Sequence, residues 1–305
     1  MSAFIEARDL TKVYHGGVEA LRGLTFSTDA PIVGLIGPNG AGKTTFVRIA
    51  VGILRPTKGS VSVLGIDVVE RPREVRKRVS LVPQDAYPDS RATVMDHVVY
   101  YLVARGYSLS DARHRAREVL ELFGMWELRS APCSRLSGGQ RKLVIVAAAL
   151  APYEVEAAFL DEPTTGLDPA NRARLWGLLS AMVREGRRIL VTTHEMGEVE
   201  ERVDEVVMID RGRLVAQGSP RELLRGLEGL ACIDVDEPRR AVEALRQRLG
   251  EGLKRVIDLG TTATLFIDRD VRDEAVRELS RLGLDIRARR CGLRDLFLWL
   301  TAGGG

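Results

Sequence analysis

The stretch that decides the fold reads GPNGAGKT and runs from Gly37 to Thr44. It follows the short apolar run IVGLIG at residues 32–37 and precedes KTTFVRIAVGIL, whose apolar residues have helical spacing. In such a strand–loop–helix unit, glycines let backbone N–H groups surround phosphate oxygens, and the helix N-terminus adds partial positive charge. The sequence therefore predicts a nucleotide-phosphate loop formed by Gly37, Pro38, Asn39, Gly40, Ala41, Gly42, Lys43, Thr44 and Thr45.

Four side chains of this predicted site carry the chemistry. In loops of this kind the lysine, here Lys43, reaches the β- and γ-phosphates of ATP, and the hydroxyl of Thr44 ligates Mg²⁺. Further along, the run AAFLDEP at residues 157–163 predicts a buried strand that ends in two carboxylates. Asp161 is then placed to hold Mg²⁺, and Glu162 to polarise an attacking water as a general base. Two acids in a loop are by themselves usually a solvated cap, but the phosphate loop favours the catalytic interpretation.

A second glycine pair lies in LSGGQRK at residues 136–142, before the apolar stretch LVIVAAALA. Serine is a favoured helix N-cap, so this segment could be no more than the start of a helix. Its backbone amides could also hold an anion at the helix N-terminus. The residues of this second anion site are Ser137, Gly138, Gly139 and Gln140.

Taken together, GPNGAGKTT, LSGGQ and FLDEPTTGLD strongly resemble the nucleotide-binding subunit of ABC transporters, over about residues 3–225. The resemblance implies that two such subunits pair head to tail, so that the phosphate loop of one faces the LSGGQ of the other. ATP then lies in the interface, its binding closes the pair and its hydrolysis opens it. One departure is RKLVIVAAALA after LSGGQ, where the family usually has an arginine-rich pattern.

The resemblance also implies roles for four further residues. Tyr14, in KVYHGG, matches the aromatic residue that stacks on adenine. Gln84, in LVPQDAY, matches the glutamine that senses the γ-phosphate and Mg²⁺ and borders the contact with the transmembrane subunit. Asp168, in GLD, matches a residue that crosses the dimer interface. His194, in VTTHE, matches the histidine that contacts the γ-phosphate.

Strand patterns alternate with helix patterns over most of the chain, which predicts an α/β core with parallel strands. We expect a P-loop NTPase domain of the ABC type over residues 1–229, with a helical subdomain at about residues 95–140. From residue 230 the pattern restarts in the order β-α-β-β-α-β. This order predicts a small ferredoxin-like α+β domain over residues 230–305.

Composition bears on partners and location. The 45 basic and 42 acidic residues give a net charge of +3, so nucleic acid is not an expected partner. Cys133, Cys232 and Cys291 show no spacing typical of a disulfide or metal site, which favours a reducing compartment. The N-terminus lacks a signal-peptide pattern, and the longest apolar run, residues 143–151, is too short to span a membrane. We therefore expect a peripheral protein at the cytoplasmic face of the cell membrane.

The leading interpretation is an ATPase that powers a membrane transporter whose transmembrane permease subunits are separate chains. The C-terminal domain resembles the extension on ATPase subunits of the drug- and polysaccharide-export (ABC-2) type, which favours an exporter. One alternative is a soluble ABC ATPase in DNA repair, translation or cluster assembly, but no heptad run separates Lys43 from Asp161. Another is a scaffold without turnover, which the presence of Glu162 and His194 disfavours. The sequence leaves open whether two copies pair or one copy pairs with a different ATPase.

Overall fold

The computed structural model describes residues 3–302. These residues form two compact units, of which the first comprises residues 3–195 and 202–217 and the second comprises residues 196–201 and 218–302. The sequence-based boundary near residue 229 assigned residues 196–201 and 218–229 to the first domain. In the structure both segments are grouped with the C-terminal unit.

The elements that begin before residue 218, apart from the short helix at residues 196–199, build the first unit. Its strands are β1 (Ile5–Val13), β2 (Glu19–Thr28), β3 (Ile32–Ile36), β4 (Lys58–Val63), β5 (Ile66–Asp67), β6 (Val79–Val82), β7 (Ala157–Asp161), β8 (Arg188–Thr193), β9 (Glu205–Asp210) and β10 (Arg213–Gly218). Its helices are α1 (Lys43–Ala50), α2 (Pro72–Arg78), α3 (Val94–Ala104), α4 (Leu109–Leu122), α5 (Gly138–Leu150) and α6 (Pro169–Arg184).

A six-stranded sheet in the order β10-β9-β3-β8-β7-β6 forms the centre of this unit. The five strands from β9 to β6 are parallel, which confirms the predicted α/β core. Every residue of β3 and of β7 is buried, and for this reason both strands read as continuous apolar runs rather than alternating ones.

A second, antiparallel sheet in the order β2-β1-β4-β5 packs its apolar side chains into the same core. The sequence analysis did not anticipate this sheet. The pairing of β1 with β2 shifts register between Ala7 and Leu10 and again on both sides of Lys12. Such irregularities interrupt the period-2 alternation by which strands are recognised in a sequence.

The predicted helical insert, at about residues 95–140, is helical: it contains α3 and α4 and ends at the start of α5, and these three helices pack on one another. Thr93 caps α3 by accepting a hydrogen bond from the backbone N–H of Asp96, and Ser108 caps α4 in the same way. These side chains satisfy N–H groups that have no partner within the helix, and so determine where each helix begins.

The longest apolar run of the sequence lies in α5, where Leu143, Val144, Val146 and the following alanines are buried inside the first unit. Its apolar character is therefore explained by packing against the protein's own core. Within residues 3–302, no helix combines the length and the hydropathy that crossing a membrane requires.

The C-terminal unit has the predicted ferredoxin-like arrangement. Its elements are α7 (Met196–Val199), α8 (Pro220–Leu224), β11 (Leu230–Asp236), α9 (Pro238–Leu249), β12 (Leu253–Asp258), β13 (Thr262–Asp268), α10 (Arg272–Arg281), β14 (Ile286–Arg290) and α11 (Leu293–Thr301). The sheet order is β12-β13-β11-β14, with antiparallel neighbours. Apolar residues of α9 and α10 form a core with one face of this sheet. In α11, Leu293 and Leu296 are buried, whereas Leu300 is 46% exposed.

Two of the three cysteines form a disulfide, so the expectation that none of them pairs is wrong. Cys232 and Cys291 are 59 residues apart in sequence, yet their Cα atoms are 5.3 Å apart. The reason is the sheet: β11 and β14 are antiparallel neighbours, and Cys232 lies opposite Arg289 at the end of β14. Cys133 is a free, buried thiol whose pKa is raised by burial.

Candidate functional site

The predicted phosphate loop connects β3 to α1 and turns tightly at its end. Gly42 precedes α1 with φ of +106°, a conformation that favours glycine. A Cβ atom at this position would lie 2.6 Å from the carbonyl oxygen of Ala20. The backbone N–H of Ala41 donates to the carbonyl of Pro38 at 3.2 Å, which closes the loop in front of the helix N-terminus. This is the backbone arrangement that holds phosphate groups.

Gly42→Ala is expected to destabilise the protein more than Gly40→Ala. Both positions have positive φ, at +106° and +81°, so each alanine costs about 1–2 kcal/mol of backbone energy. Only at Gly42 does the new methyl group also clash, since a Cβ at Gly40 meets nothing within 4 Å. We expect an additional loss of about 1–3 kcal/mol from this overpacking. Urea unfolding of the two variants measures the difference, and equal loss in both would contradict it.

Lys43 is buried, with 6% of its surface exposed, and its Nζ atom lies at the centre of the loop. This atom donates hydrogen bonds to the carbonyl oxygens of Gly37 at 2.7 Å and Pro38 at 3.2 Å. It also lies 3.5 Å from Oε1 of Glu162. Burial lowers the pKa of Lys43, and the neighbouring carboxylates of Glu162 and Asp161 oppose that shift. A cation is thus held between the phosphate loop and the predicted catalytic acids.

Asp161 and Glu162 lie at the end of β7 and are 3% and 4% exposed. The hydroxyl of Thr192, on the neighbouring strand β8, donates to Oδ1 of Asp161 at 2.6 Å and accepts the N–H of Glu162 at 3.0 Å. Glu162 has φ of +49°, which is uncommon for a residue other than glycine. Such conformations persist where the surroundings impose them, and they cluster at functional sites.

His194 follows β8, and its Nδ1 atom is 2.9 Å from Oε2 of Glu162. The imidazole is 41% exposed and so remains accessible from solvent. Strands β3, β8 and β7 are adjacent and parallel, so their carboxyl ends meet at one edge of the sheet. The structure therefore brings together four residues predicted from three separate motifs, namely Lys43, Asp161, Glu162 and His194.

Tyr14, Thr44 and Gln84 lie around this cluster. The hydroxyl oxygen of Tyr14 is 3.2 Å from Oγ1 of Thr45, so this aromatic ring lies beside the phosphate loop with 36% of its surface exposed. Thr44 is half-buried in the first turn of α1. Gln84 is exposed and follows β6, whose last residue, Val82, pairs with Leu160 next to Asp161. Gln84 therefore lies just beyond the edge of the sheet at which the carboxylates of Asp161 and Glu162 are found.

The LSGGQ residues form a second group around the start of α5. Ser137 caps this helix by accepting the N–H of Gln140 at 3.2 Å, and the Gln140 side chain accepts the N–H of Ser137 at 3.0 Å. Gly139 packs closely on Asn171, because a Cβ here would lie 2.9 Å from its Nδ2 atom. Asn171 in turn donates to Asp168, the N-cap of α6, and these hydrogen bonds lower the pKa of the Asp168 carboxyl.

Three residues that the sequence analysis did not select contribute to these groups: Thr192, Lys142 and Asn171. Lys142, in α5, donates to the backbone carbonyls of Pro83 and Gln84 at 3.4 and 3.0 Å. Burial lowers the pKa of Lys142. For Lys142 and Asn171 the sequence offered one signal of a functional role, the scarcity of these residue types: the chain has six lysines and two asparagines. Thr192 gave no such signal, because threonine is common in strands.

The arrangement is suited to transfer of a terminal phosphoryl group to water. Lys43 and the amides of the phosphate loop supply positive potential where phosphate charge must be held. Glu162 offers a carboxylate that can accept a proton from water, and His194 fixes one of its oxygens. Burial of this carboxylate beside a cation keeps it in a fixed orientation.

Comparison with known proteins agrees with this chemistry. Residues 22–165 match the family described as ABC transporter. The chain is 36% identical to the daunorubicin/doxorubicin resistance ATP-binding protein DrrA of Streptomyces peucetius, over 97% of this chain and 92% of that protein. It is 35% identical to the Nod factor export ATP-binding protein I of Burkholderia orbicola, over 97% and 96% of the two chains.

Solved structures give the same result. The chain resembles cbiO1 from Clostridium perfringens, part of the ABC transporter complex cbiONQ, with a TM-score of 0.66 and 27% identity over 82% of this chain and 97% of that one. A second structure, of an ATP-binding subunit of an ABC transporter, has a TM-score of 0.64 and 27% identity over 73% and 92% of the two chains. With the phosphate loop, the paired acids and LSGGQ all in place, this chain belongs to the ATP-hydrolysing, ATP-binding subunits of the ABC transporter family.

Proposed function

We propose that this chain hydrolyses ATP in a head-to-tail pair of nucleotide-binding subunits, and that the pair powers export through separately encoded transmembrane subunits. The single observation that carries the proposal is the group formed by the buried Lys43 and Glu162 and the exposed His194, with Nζ and Nδ1 lying 3.5 and 2.9 Å from the two carboxylate oxygens of Glu162. In this group Glu162 accepts a proton from the attacking water, Lys43 binds the phosphates and His194 orients the carboxylate.

The side chains near the loop also suit Mg²⁺. The hydroxyl of Thr44, the carboxylate of Asp161 and the amide oxygen of Gln84 are hard oxygen donors, the ligand class that Mg²⁺ prefers. Thr192 holds one oxygen of Asp161, which orients this carboxylate. When bound, Mg²⁺ neutralises charge on the β- and γ-phosphate oxygens.

Pairing is supported by the presence of two anion-binding helix starts in one chain. The phosphate loop precedes α1, and Ser137 with the two glycines precedes α5. In a head-to-tail pair each ATP contacts the start of α1 in one subunit and the start of α5 in the other, and Tyr14 stacks on its adenine. Asn171 holds Asp168 at the start of α6, and we propose that Asp168 contacts the partner. The partner is a second copy or another ATPase of the same class.

Export is supported by the printed names of the two relatives, one a drug-resistance protein and the other an export protein, both aligned over 97% of this chain. The solved structure of cbiO1 is of one part of an ABC transporter complex, and this supports the proposal that the present chain works with membrane-embedded subunits. This chain accordingly acts as a peripheral protein at the cytoplasmic face of the cell membrane.

A groove in the first unit is suited to receive a transmembrane subunit. It has a volume of 190 Å³ and is lined by Val51, Ile53, Arg76, Val79, Ser80, Leu81, Tyr101 and Arg105. Ile53 at its border is 62% exposed. The Ser80 hydroxyl is buried and has no hydrogen-bond partner among the described residues. A larger neighbouring groove of 860 Å³ adds the basic residues Arg73, Lys77 and Arg78 and the acidic residues Glu154 and Glu156. These features fit a short helix that carries apolar and acidic side chains.

Ile53→Lys is expected to abolish binding to the transmembrane subunit and to leave basal ATP hydrolysis unchanged, because a cation is placed in an apolar, already basic groove. Leu109→Lys is the matched control, since Leu109 is 52% exposed and lies on α4. The tagged chain is purified from detergent-solubilised membranes of its host, and bound proteins are identified by mass spectrometry. We expect a polytopic membrane protein with the wild type and the control only.

The two parts of this proposal fail in different ways. Recovery of soluble proteins alone with the wild type contradicts a transporter role and favours the soluble class of ABC ATPases. If the wild type, Ile53→Lys and Leu109→Lys all recover the same membrane protein, the groove is not the docking surface.

A further inference from the structure

We propose that Glu200 is a positioning residue for the catalytic histidine: it anchors the segment after His194 on the N-terminus of α11 in the C-terminal unit. The inference rests on the proposed role of His194 in ATP hydrolysis. Under this proposal residues 230–302 contribute to the rate of ATP hydrolysis.

The anchor is a carboxylate at a helix start. Oε2 of Glu200 accepts the backbone N–H of Leu293, the first residue of α11, at 3.1 Å. A Cβ atom at Gly292 would lie 2.8 Å from the same oxygen, so the carboxylate lies directly against this glycine. The first N–H groups of a helix have no partner within it, and their partial positive charge favours an anion. Glu200 therefore gives the N–H of Leu293 a hydrogen-bond acceptor, and its negative charge also interacts favourably with the positive end of the helix dipole.

The helix start that receives Glu200 is itself fixed in the C-terminal sheet. Asp295, in the first turn of α11, is fully buried and accepts both the N–H of Gly292 and a bond from Arg289 at 2.8 Å. Arg289 lies on β14 and also binds Asp234 on β11. Cys291, which immediately precedes Gly292, is bonded to Cys232 on β11. Glu200 thus binds a helix start that is held by an ion-pair network and a disulfide.

Glu200 also lies close to the catalytic residue along the chain. Residues 196–201 belong to the C-terminal unit, although the residues on both sides of them belong to the first. Within this segment Met196 and Val199 of α7 are buried, and α7 packs against α11. His194 is two residues before α7. A segment held in the C-terminal unit therefore begins almost directly after the imidazole.

The residues directly before and after His194 are both held by the first unit. Thr193 is the last residue of β8, and its hydroxyl accepts the N–H of Glu195 at 3.0 Å. The Glu195 carboxylate accepts a bond from Arg172 on α6 at 3.0 Å. The exposed imidazole thus lies between the end of β8 and the segment that Glu200 anchors. Loss of the Glu200 anchor removes one of the restraints on the chain after His194, beside the bond between Arg172 and Glu195, and lets His194 leave Glu162 more often.

The inference predicts that Glu200→Ala lowers kcat for ATP hydrolysis about 3- to 30-fold, a range that corresponds to loss of one orienting interaction. The KM for ATP should change less than about 2-fold, because His194 acts on the transition state more than on bound ATP. Glu200→Gln keeps an oxygen acceptor for Leu293 and should recover most of kcat. Glu201→Ala, at the exposed neighbouring glutamate, should have no effect.

A double-mutant cycle separates this role from simple stabilisation of the C-terminal unit. If Glu200 acts through His194, then Glu200→Ala in a His194→Ala background causes no further loss of kcat. The same fold-loss in both backgrounds, or a lowered Tm with kcat per folded molecule unchanged, overturns the inference. Absence of ATP hydrolysis by the wild type instead contradicts the proposed function itself, so the two failures are distinguishable.

Discussion

Glu162→Gln is expected to reduce ATP hydrolysis about 100-fold or more, in the range that general bases contribute, and to leave ATP binding intact. Glutamine keeps the size of the side chain and an oxygen acceptor for His194 and Lys43, but it cannot take a proton from water. Subunits loaded with ATP then cannot open, and we expect the variant to accumulate as a dimer. Phosphate release measures turnover, and light scattering coupled to size exclusion measures mass, with ATP and Mg²⁺ present.

The control for this variant is Glu121→Gln, which changes a glutamate paired with Arg117 on the surface of α4. It should hydrolyse ATP like the wild type and should not accumulate as a dimer. A Glu162→Gln protein that remains monomeric with ATP and Mg²⁺ contradicts the head-to-tail mechanism. A variant that hydrolyses ATP at the wild-type rate contradicts the role of Glu162 as the base.

Lys43→Met is expected to lower ATP affinity about 30-fold or more and to make turnover undetectable. Charge-assisted hydrogen bonds contribute about 2 kcal/mol or more each, and 1.4 kcal/mol corresponds to a tenfold change in affinity. Methionine fills the buried volume of the lysine stem, so the loop is not left with a cavity. The change does leave Glu162 without its cation, which removes a second contribution to the site. Isothermal titration calorimetry with ATP measures the affinity.

Lys254→Met serves as the control, because Lys254 pairs with Asp268 at 2.9 Å on the surface of the C-terminal unit and is 39% exposed. Surface pairs of this kind contribute about 0–1 kcal/mol, so both stability and ATP binding should be unchanged. A circular dichroism melt verifies that Lys43→Met is folded. Wild-type affinity in a folded Lys43→Met protein would contradict the phosphate-binding role of this lysine.

Motifs that are local in sequence determined much of the site. The phosphate loop, the buried strand that ends at Asp161 and the capped start of α5 at Ser137 are all formed where the sequence predicted them. Each depends on residues within about one strand or one helix turn, so its physical cause can be read from neighbours in the chain. The repeated strand–helix pattern likewise predicted the parallel core and the ferredoxin-like unit.

Contacts between distant segments were decided only by the tertiary structure. Thr192 holds Asp161 and Glu162 because β7 and β8 are neighbours in the sheet, and nothing in the run RILVTT marks this threonine. Lys142 reaches the backbone of Gln84 across 58 positions of sequence for a similar reason. In both cases the partner is set by which elements become neighbours in the fold, and the residue type alone does not reveal it.

The C-terminal unit shows most clearly the difference between features set by local sequence and features set by contacts between distant segments. The sequence by itself determined its β-α-β-β-α-β order, since the period of apolar residues switches between strand and helix values at each element. It did not determine that Cys232 meets Cys291, nor that residues 196–201 are part of this unit. Both facts depend on which strands and helices become neighbours, and this choice is made by burial of apolar faces across the whole chain, which has no local signature.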